Sequence, residues 1–494
     1  MAASIILLSI FLLGMVAIGI WGMRKTATLN DFFLGGRSVG PWVTAFAYGT
    51  TYFSAVIFIG FAGKIGWAYG LKGLAIAAGN AAIGTTAAWL ILGRRARRMT
   101  QKLDAMTMPE FLQERFGSKY IKMFAALIIF VFLIPYSASV FKGLGYLFEA
   151  NFHIKFDTAL LIMIAITGLY LVLGGYFAVT LTDFVQGIIM IFGSIIMVII
   201  LSGKAAEIAG TSGFCGTMTA AADKYNQWHS VLPPEKQPSM FALGALVFMT
   251  SFGVWGMPQM VQKFYAIKNE AVINKAALIT TIFAVIISFA AYYTGALAHI
   301  FYDTTTVPMG PKGPEFDMII PKLLTQYLPS GLMAVILLLI LSASMSTLSS
   351  LVLVSASAVA IDLYKGHVNP EISKKNSLLM MRFLSAIFIV ISYFVARYQL
   401  AFIVELMSLS WGAVAGAFMA PFFYGLYWKR ATHSGVVAGM ITALVINTTL
   451  YYMYGPKNSP IAASLAMIVP FFVIPLVSFV TKPPKKEIIE KAFA

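Results

Sequence analysis

The sequence predicts an all-α polytopic membrane protein, and three observations carry the prediction. Hydrophobic residues make up 59% of the 494-residue chain and charged residues only 11%, where soluble domains carry roughly 25%. Apolar stretches of about 20 residues, long enough to cross a bilayer as helix, recur along the whole length. The 41 glycines and 20 prolines would be heavy for a soluble helical protein, but membrane helices use both freely. No stretch remains that could form a soluble domain of any size.

In order, the apolar windows fall at roughly 4–23, 40–68, 71–92, 119–148, 156–173, 178–202, 239–262, 272–301, 330–362, 377–397, 400–427, 434–454 and 460–480, about 13 transmembrane helices. The first has no basic residue before it and reads as a retained helix rather than a cleaved signal. The formal charge of +16 sits in short loops rather than in a basic domain, which argues against nucleic-acid binding and follows the positive-inside rule. With the N-terminus outside, the inner loops carry Arg24, Lys25 and Arg37, then Arg94, Arg95, Arg97 and Arg98, then Lys263 and Lys268. Further on they carry Lys365, Lys374, Lys375, Lys429 and Arg430, and the cytoplasmic tail carries Lys482, Lys485 and Lys486. Connections 203–238 and 302–329 then lie outside. Residues 103–116 read either as a short amphipathic helix on the inner surface, started by Thr107 or Met108 before Pro109, or as a solvated connector.

Enzyme chemistry has no foothold. The five histidines are scattered over loops and helix ends, and no metalloprotease, nucleophile-elbow or phosphate-loop pattern occurs. The single Cys215 excludes an intramolecular disulfide and a cysteine-cluster metal site. The informative groups are therefore polar residues inside the membrane, which are expensive to keep there. Asp183, near one end of its span, either meets a cation, hydroxyls or water, or sits at a helix start favoured by the dipole. The stretch LSASMSTLSSLVL, 341–353, puts six hydroxyls into an apolar helix. Ser346, Ser349 and Ser350 share one face, with Ala343 and Thr347 on the adjoining stripe. Close helix packing accounts for two or three such hydroxyls, whereas six suit hard-oxygen ligation of an alkali cation. Segments 46–63 and 250–260 are glycine-interrupted apolar runs that open comparable blocks, 40–202 and 239–427. Interrupted helices in matching positions of two halves are the mark of inverted-repeat carriers.

Three motifs, NDFFLGGRSVGPWVTA (30–45), LYLVLGGYFAVTLTDFVQG (169–187) and MSTLSSLVLVSASAVAIDLY (345–364), resemble the sodium:solute symporter family nearly end to end. The resemblance implies a leucine-transporter-type inverted repeat of two five-helix bundles. It divides the chain into an extra helix and inner loop (1–39), a first repeat (40–202), an extracellular loop (203–238), a second repeat (239–427), and two further helices with a cytoplasmic tail (428–494). The chain would be a multi-pass protein of the plasma membrane, acting on a small-molecule substrate with sodium ions and no organic cofactor; a monomer would suffice. Family motifs place a first sodium on the carbonyls of Thr50, Phe53 and Ala343 and the hydroxyls of Ser346 and Thr347. They place a second, present in only some members, on Asp183, Ser346, Ser349 and Ser350.

The resemblance also frames the substrate. Proline carriers have aromatic residues where this chain has Thr250 and Val254, and an Asp where it has Tyr52. These departures favour a small carboxylate, monocarboxylate or pantothenate-like, over proline, another amino acid or a sugar. The expected pocket is Tyr52, Ser54, Ala55, Tyr136, Trp255, Ser410 and Trp411, although any single membrane Trp more often packs against lipid or a neighbouring helix. Lys142, about two turns inside its span, either snorkels to the outer interface, neutralises the substrate carboxylate or meets Glu405. A membrane solute sensor on the same fold is the competing class; such sensors carry signalling domains, and only about a dozen polar residues close this sequence.

Overall fold

The computed structural model describes residues 2–25, 34–173, 176–310 and 313–493. Residues 30–33 and 174–175 of the family-like motifs lie outside the described residues, as do the side chains of 166–178, Arg24, Lys25 and Lys374. The described chain is almost wholly helical, with one two-stranded ribbon, Met309–Gly310 against Gly313–Pro314. Ten helical runs among the described residues are long and apolar enough to cross a membrane, and two shorter apolar helices, Ile5–Trp21 and Phe156–Ala165, accompany them. Every expected apolar window falls on helix.

Both blocks open with an interrupted helix. The first runs Pro41–Tyr52, breaks at Phe53 and Ser54, and resumes through Val56–Phe61 and Ala62–Tyr69. The second runs Met240–Gly253, breaks over 254–257, and resumes as Pro258–Ala266. Proline at the first position of Pro258–Ala266 suits a restart, since its missing N–H is one the helix could not have paired. A Cβ on Gly256 would lie 2.7 Å from the Met419 backbone nitrogen, so the second break can press directly against Ile403–Tyr427 only because no side chain intervenes. The resumed first helix crosses Ile273–Ala296 at Gly66 and Gly295, where a Cβ on Gly66 would meet the Gly295 carbonyl carbon at 2.1 Å.

Against these breaks pack Tyr176–Ala209, which carries Asp183, and Ser330–Ser357, which carries the hydroxyl run. Lys119–Phe152 and Ile403–Tyr427 cover the opposite side. The expected polar connections are more structured than their composition suggests. Within 203–238, Gly213–Ser230 is helical and sets Tyr225 and Trp228 against His299, while Trp67 also stacks on that imidazole. Within 302–329, Phe316–Tyr327 is a helix that seals one end of the bundle.

The opposite end, expected to face the cytosol, is tied by basic residues used as caps as well as loop charges. Arg97 is 5% exposed and donates to the Ile267 carbonyl at 2.6 Å, while Arg115 donates to Gly425 and Trp428 carbonyls that close a helix. Orphan carbonyls at helix ends need such donors. The 103–116 segment resolves in favour of a helix, Met108–Phe116, whose Thr107 hydroxyl accepts from the Glu110 N–H at 3.1 Å.

Candidate ion and solute site

The first break frees backbone polar groups on both sides, and the hydroxyl run supplies partners for several of them. The helix stops at Tyr52 because Phe53 is extended (φ −109°, ψ 117°), so the preceding carbonyls lose their partners four residues on. The Thr347 hydroxyl reaches the carbonyls of Thr50 (3.3 Å), Thr51 (3.2 Å) and its own Ala343 (3.1 Å). Ser346 donates to the Thr50 hydroxyl at 2.7 Å. Of the residues expected to hold the first sodium, Thr50, Ala343, Ser346 and Thr347 meet at the break together with the Thr51 carbonyl, while the Phe53 carbonyl makes none of these contacts. On the other side, the Ala55 N–H donates to Ser344 at 3.2 Å and the Val56 N–H to Ser54 at 3.2 Å.

Ser344, one of the six hydroxyls and outside both expected sodium sets, does more than let helices pack closely. Its hydroxyl accepts from Ala55 and donates to Ile340, joining the resumed half-helix to the hydroxyl helix. Sequence spacing could not single it out, because its partner lies 289 residues away.

Of the four groups expected around a second sodium, Asp183 lies beside Ser346 and is joined to Ser350 through Lys263, while Ser349 turns away. Ser349 bonds back to the Ser346 carbonyl at 2.8 Å, within its own helix. Ser350 pairs with the Thr51 hydroxyl at 3.0 Å and accepts from Lys263 at 3.3 Å. Asp183 is fully buried, with Ser346 beside it, and the Lys263 ammonium stands 3.8 Å from its carboxylate. Lys263, expected in an inner loop, is 1% exposed, because the second broken helix resumes into the protein interior rather than leaving it.

Beside the first break lies a small cavity lined by Tyr52, Ser54, Asn80, Tyr136, Thr250 and Trp411, with Phe53, Phe61, Tyr292 and Met407 among its apolar walls. Tyr52 stacks on Phe53 at 4.4 Å between ring centres and donates to the Thr250 carbonyl at 2.7 Å, linking the two breaks. Tyr136 meets Trp411 edge-on at 5.9 Å. Four of the expected pocket residues, Tyr52, Ser54, Tyr136 and Trp411, line this space.

The others lie elsewhere. Ala55 is engaged through its N–H by Ser344, and Ser410 donates to the Phe132 carbonyl at 2.5 Å. The Trp255 indole donates to the Ile83 carbonyl at 3.1 Å, its ring against Phe252. Lys142 neither snorkels nor reaches Glu405. It is 2% exposed, bonds Asp317 at 2.9 Å and the Ala401 carbonyl at 2.8 Å, and Asp317 also accepts from the Ile403 N–H. Glu405 pairs instead with Lys64 at 2.9 Å. Asn80 was missed, although a lone carboxamide in an apolar run is a signal of the same kind as Asp183; Tyr292 carried no such signal.

Two broken helices, one of them presenting freed carbonyls to a run of hydroxyls beside a small cavity, are carrier architecture. A sequence profile of the sodium:solute symporter family matches residues 32–443. The chain belongs to the sodium:solute symporter family. It is therefore a membrane transporter built for sodium-coupled symport. The chain is 31% identical to the osmoregulated proline transporter of Bacillus subtilis and 29% identical to the sodium/proline symporter of Haemophilus influenzae, in each case over 98% of this chain and 96% of the relative. Among solved structures, a sodium-coupled sialic acid symporter in a substrate-bound outward-open state superposes with a TM-score of 0.76 at 18% identity, covering 98% of this chain and 99% of that one. The nucleobase-cation symporter Mhp1 superposes at 0.55 with 14% identity, covering 93% of this chain and 97% of Mhp1. Both share the leucine-transporter-type fold with this symporter.

Proposed function

We propose that this symporter imports a small zwitterionic amino or imino acid, proline first among them, together with sodium. The observation that carries the proposal is the charge of the cavity: none of its described lining residues is a lysine or arginine. A net anion buried there would have no protein counter-charge among the lining residues, which is costly, and Lys142, the cation expected to neutralise it, is spent on Asp317. A zwitterion brings its own counter-charge. The Asn80 carboxamide oxygen, which has no protein partner among the described residues, is an acceptor of the type its ammonium needs. The proline-transporting relatives support the same choice over the carboxylate expected from the Tyr52, Thr250 and Val254 departures.

Sodium is assigned to Thr50, Thr51, Phe53 and Ala343 carbonyls with the Ser346 and Thr347 hydroxyls. Bound there it would join the first half-helix to the hydroxyl helix, fixing Tyr52 and Phe53 where they wall the cavity. Such linkage raises solute affinity by typically about 1–3 kcal/mol. The membrane potential adds about 2.3 kcal/mol per charge per 100 mV of driving force. The plasma membrane, with the N-terminus outside, is the setting in which this coupling drives import. Competition in proteoliposomes tests the substrate class. Unlabelled proline should abolish sodium-dependent uptake of labelled proline, with pantothenate, lactate and glucose inert. Uptake of labelled lactate or pantothenate without proline uptake would return the assignment to the carboxylates.

A further inference from the structure

We propose that the Lys263 ammonium is a tethered cation occupying the place of a second sodium, so that this symporter binds one sodium ion rather than two. The inference rests on the first sodium site just assigned and concerns the neighbouring group. Asp183 is fully buried on Tyr176–Ala209, and an isolated carboxylate there requires a positive partner. Lys263 supplies it, 3.8 Å away and itself 1% exposed. The same ammonium donates to Ser350, and Ser350 is bound in turn to Thr51 of the first break.

The donor set for a sodium is therefore already committed. Ser350 accepts from an ammonium, and Ser349 is turned to the Ser346 carbonyl of its own helix. A sodium placed among Asp183, Ser346 and Ser350 would stand within a few ångströms of a second positive charge, where a low dielectric makes like charges repel strongly. One carboxylate balances one cation, and the side chain of Pro258–Ala266 provides it covalently.

The tether also changes what the site can do. A free ion enters and leaves with each cycle, whereas Lys263 moves only with the second half of the second broken helix. Its ion pair with Asp183 and its hydrogen bond to Ser350 join that half-helix to both helices that flank the first sodium site. The positive charge needed to hold these helices together is thus supplied without drawing on the sodium gradient, and each solute is carried with one charge's worth of sodium.

Equilibrium binding of sodium-22 to the purified full-length protein in detergent, counted per molecule, tests this without reference to the solute. Wild type should bind one ion with a Hill coefficient of one. Lys263→Ala should bind two, because the freed Asp183 and Ser350 then face an empty space of opposite need. Lys263→Ala combined with Asp183→Asn should return to one, and this neutral pair serves as the measurable variant where Lys263→Ala alone fails to fold. Two ions on wild type, or one on a folded Lys263→Ala, would overturn the inference while leaving sodium coupling intact. No sodium on wild type would overturn the proposed function itself, together with the inference.

Discussion

Thr347 and Ser344 are three residues apart on one helix and serve the two sides of the same break. Thr347 gathers the carbonyls of Thr50, Thr51 and Ala343, whereas Ser344 holds the Ala55 N–H. Their removal should therefore have different signatures. Thr347→Val keeps the shape and deletes the hydroxyl, and should raise the sodium concentration for half-maximal uptake at least tenfold. Ser344→Ala leaves a buried N–H unpaired, at about 1–3 kcal/mol, and should lower the thermal midpoint in detergent with a smaller change in sodium dependence. Equal effects of the two on sodium dependence would mean that the hydroxyls act only as packing. The proposed first-site residues were named through the family motifs, and the helical spacing in 343–347 and the glycine-marked break are consistent with them. The roles of Ser344, Lys142 and Lys263 were not legible, because a buried group's meaning depends on its partner, and these partners lie 289, 175 and 80 residues away in the chain.

At the scale of elements, helix Phe316–Tyr327 is held by an ion pair that neither its composition nor its loop position announces. Lys142 of Lys119–Phe152 and Asp317 are both essentially excluded from solvent, and Asp317 also caps the start of Ile403–Tyr427. Three elements meet on one carboxylate. Removing one partner of such a buried pair strands the other charge, typically at about 3–5 kcal/mol, while replacing both with apolar groups is often neutral. Lys142→Met and Asp317→Asn should each destabilise the protein strongly, and Lys142→Met with Asp317→Leu should recover most of the loss in thermal midpoint. A double variant as unstable as the sum of the singles would show that the contacts to the Ala401 carbonyl and Ile403 N–H matter more than the charge pair. The helices themselves were readable from hydropathy because the bilayer imposes one length and one polarity on every span. The segments between spans were less so: Gly213–Ser230 packs onto the bundle without a strong periodicity of its own, and Phe316–Tyr327, whose apolar residues at 316, 319, 320, 323, 324 and 327 do follow a helical spacing, is too short to announce itself as a span.

For the whole molecule, the two breaks, the hydroxyl helix and the cavity form one connected unit. Tyr52 bonds the second break through the Thr250 carbonyl, Thr347 bonds the first break to the hydroxyl helix, and Lys263 bonds the second resumed half-helix to Ser350. An ion at the proposed first site would adjoin the wall of the proposed solute cavity, and this adjacency is the basis we propose for coupling in this member of the sodium:solute symporter family. The substrate class was the least legible feature. Thr250 and Tyr52 were read as departures from the proline carriers one position at a time, whereas cavity charge depends on where Lys142 goes, and that is set by Asp317 in the tertiary fold. The measurement that bears most directly on coupling is radiolabelled proline accumulation in proteoliposomes under an imposed inward sodium gradient. Accumulation above the outside concentration, collapsing when sodium is equilibrated across the membrane or replaced by potassium, is the predicted result. Equal uptake in potassium, or uptake that only equilibrates whatever the sodium gradient, would contradict it.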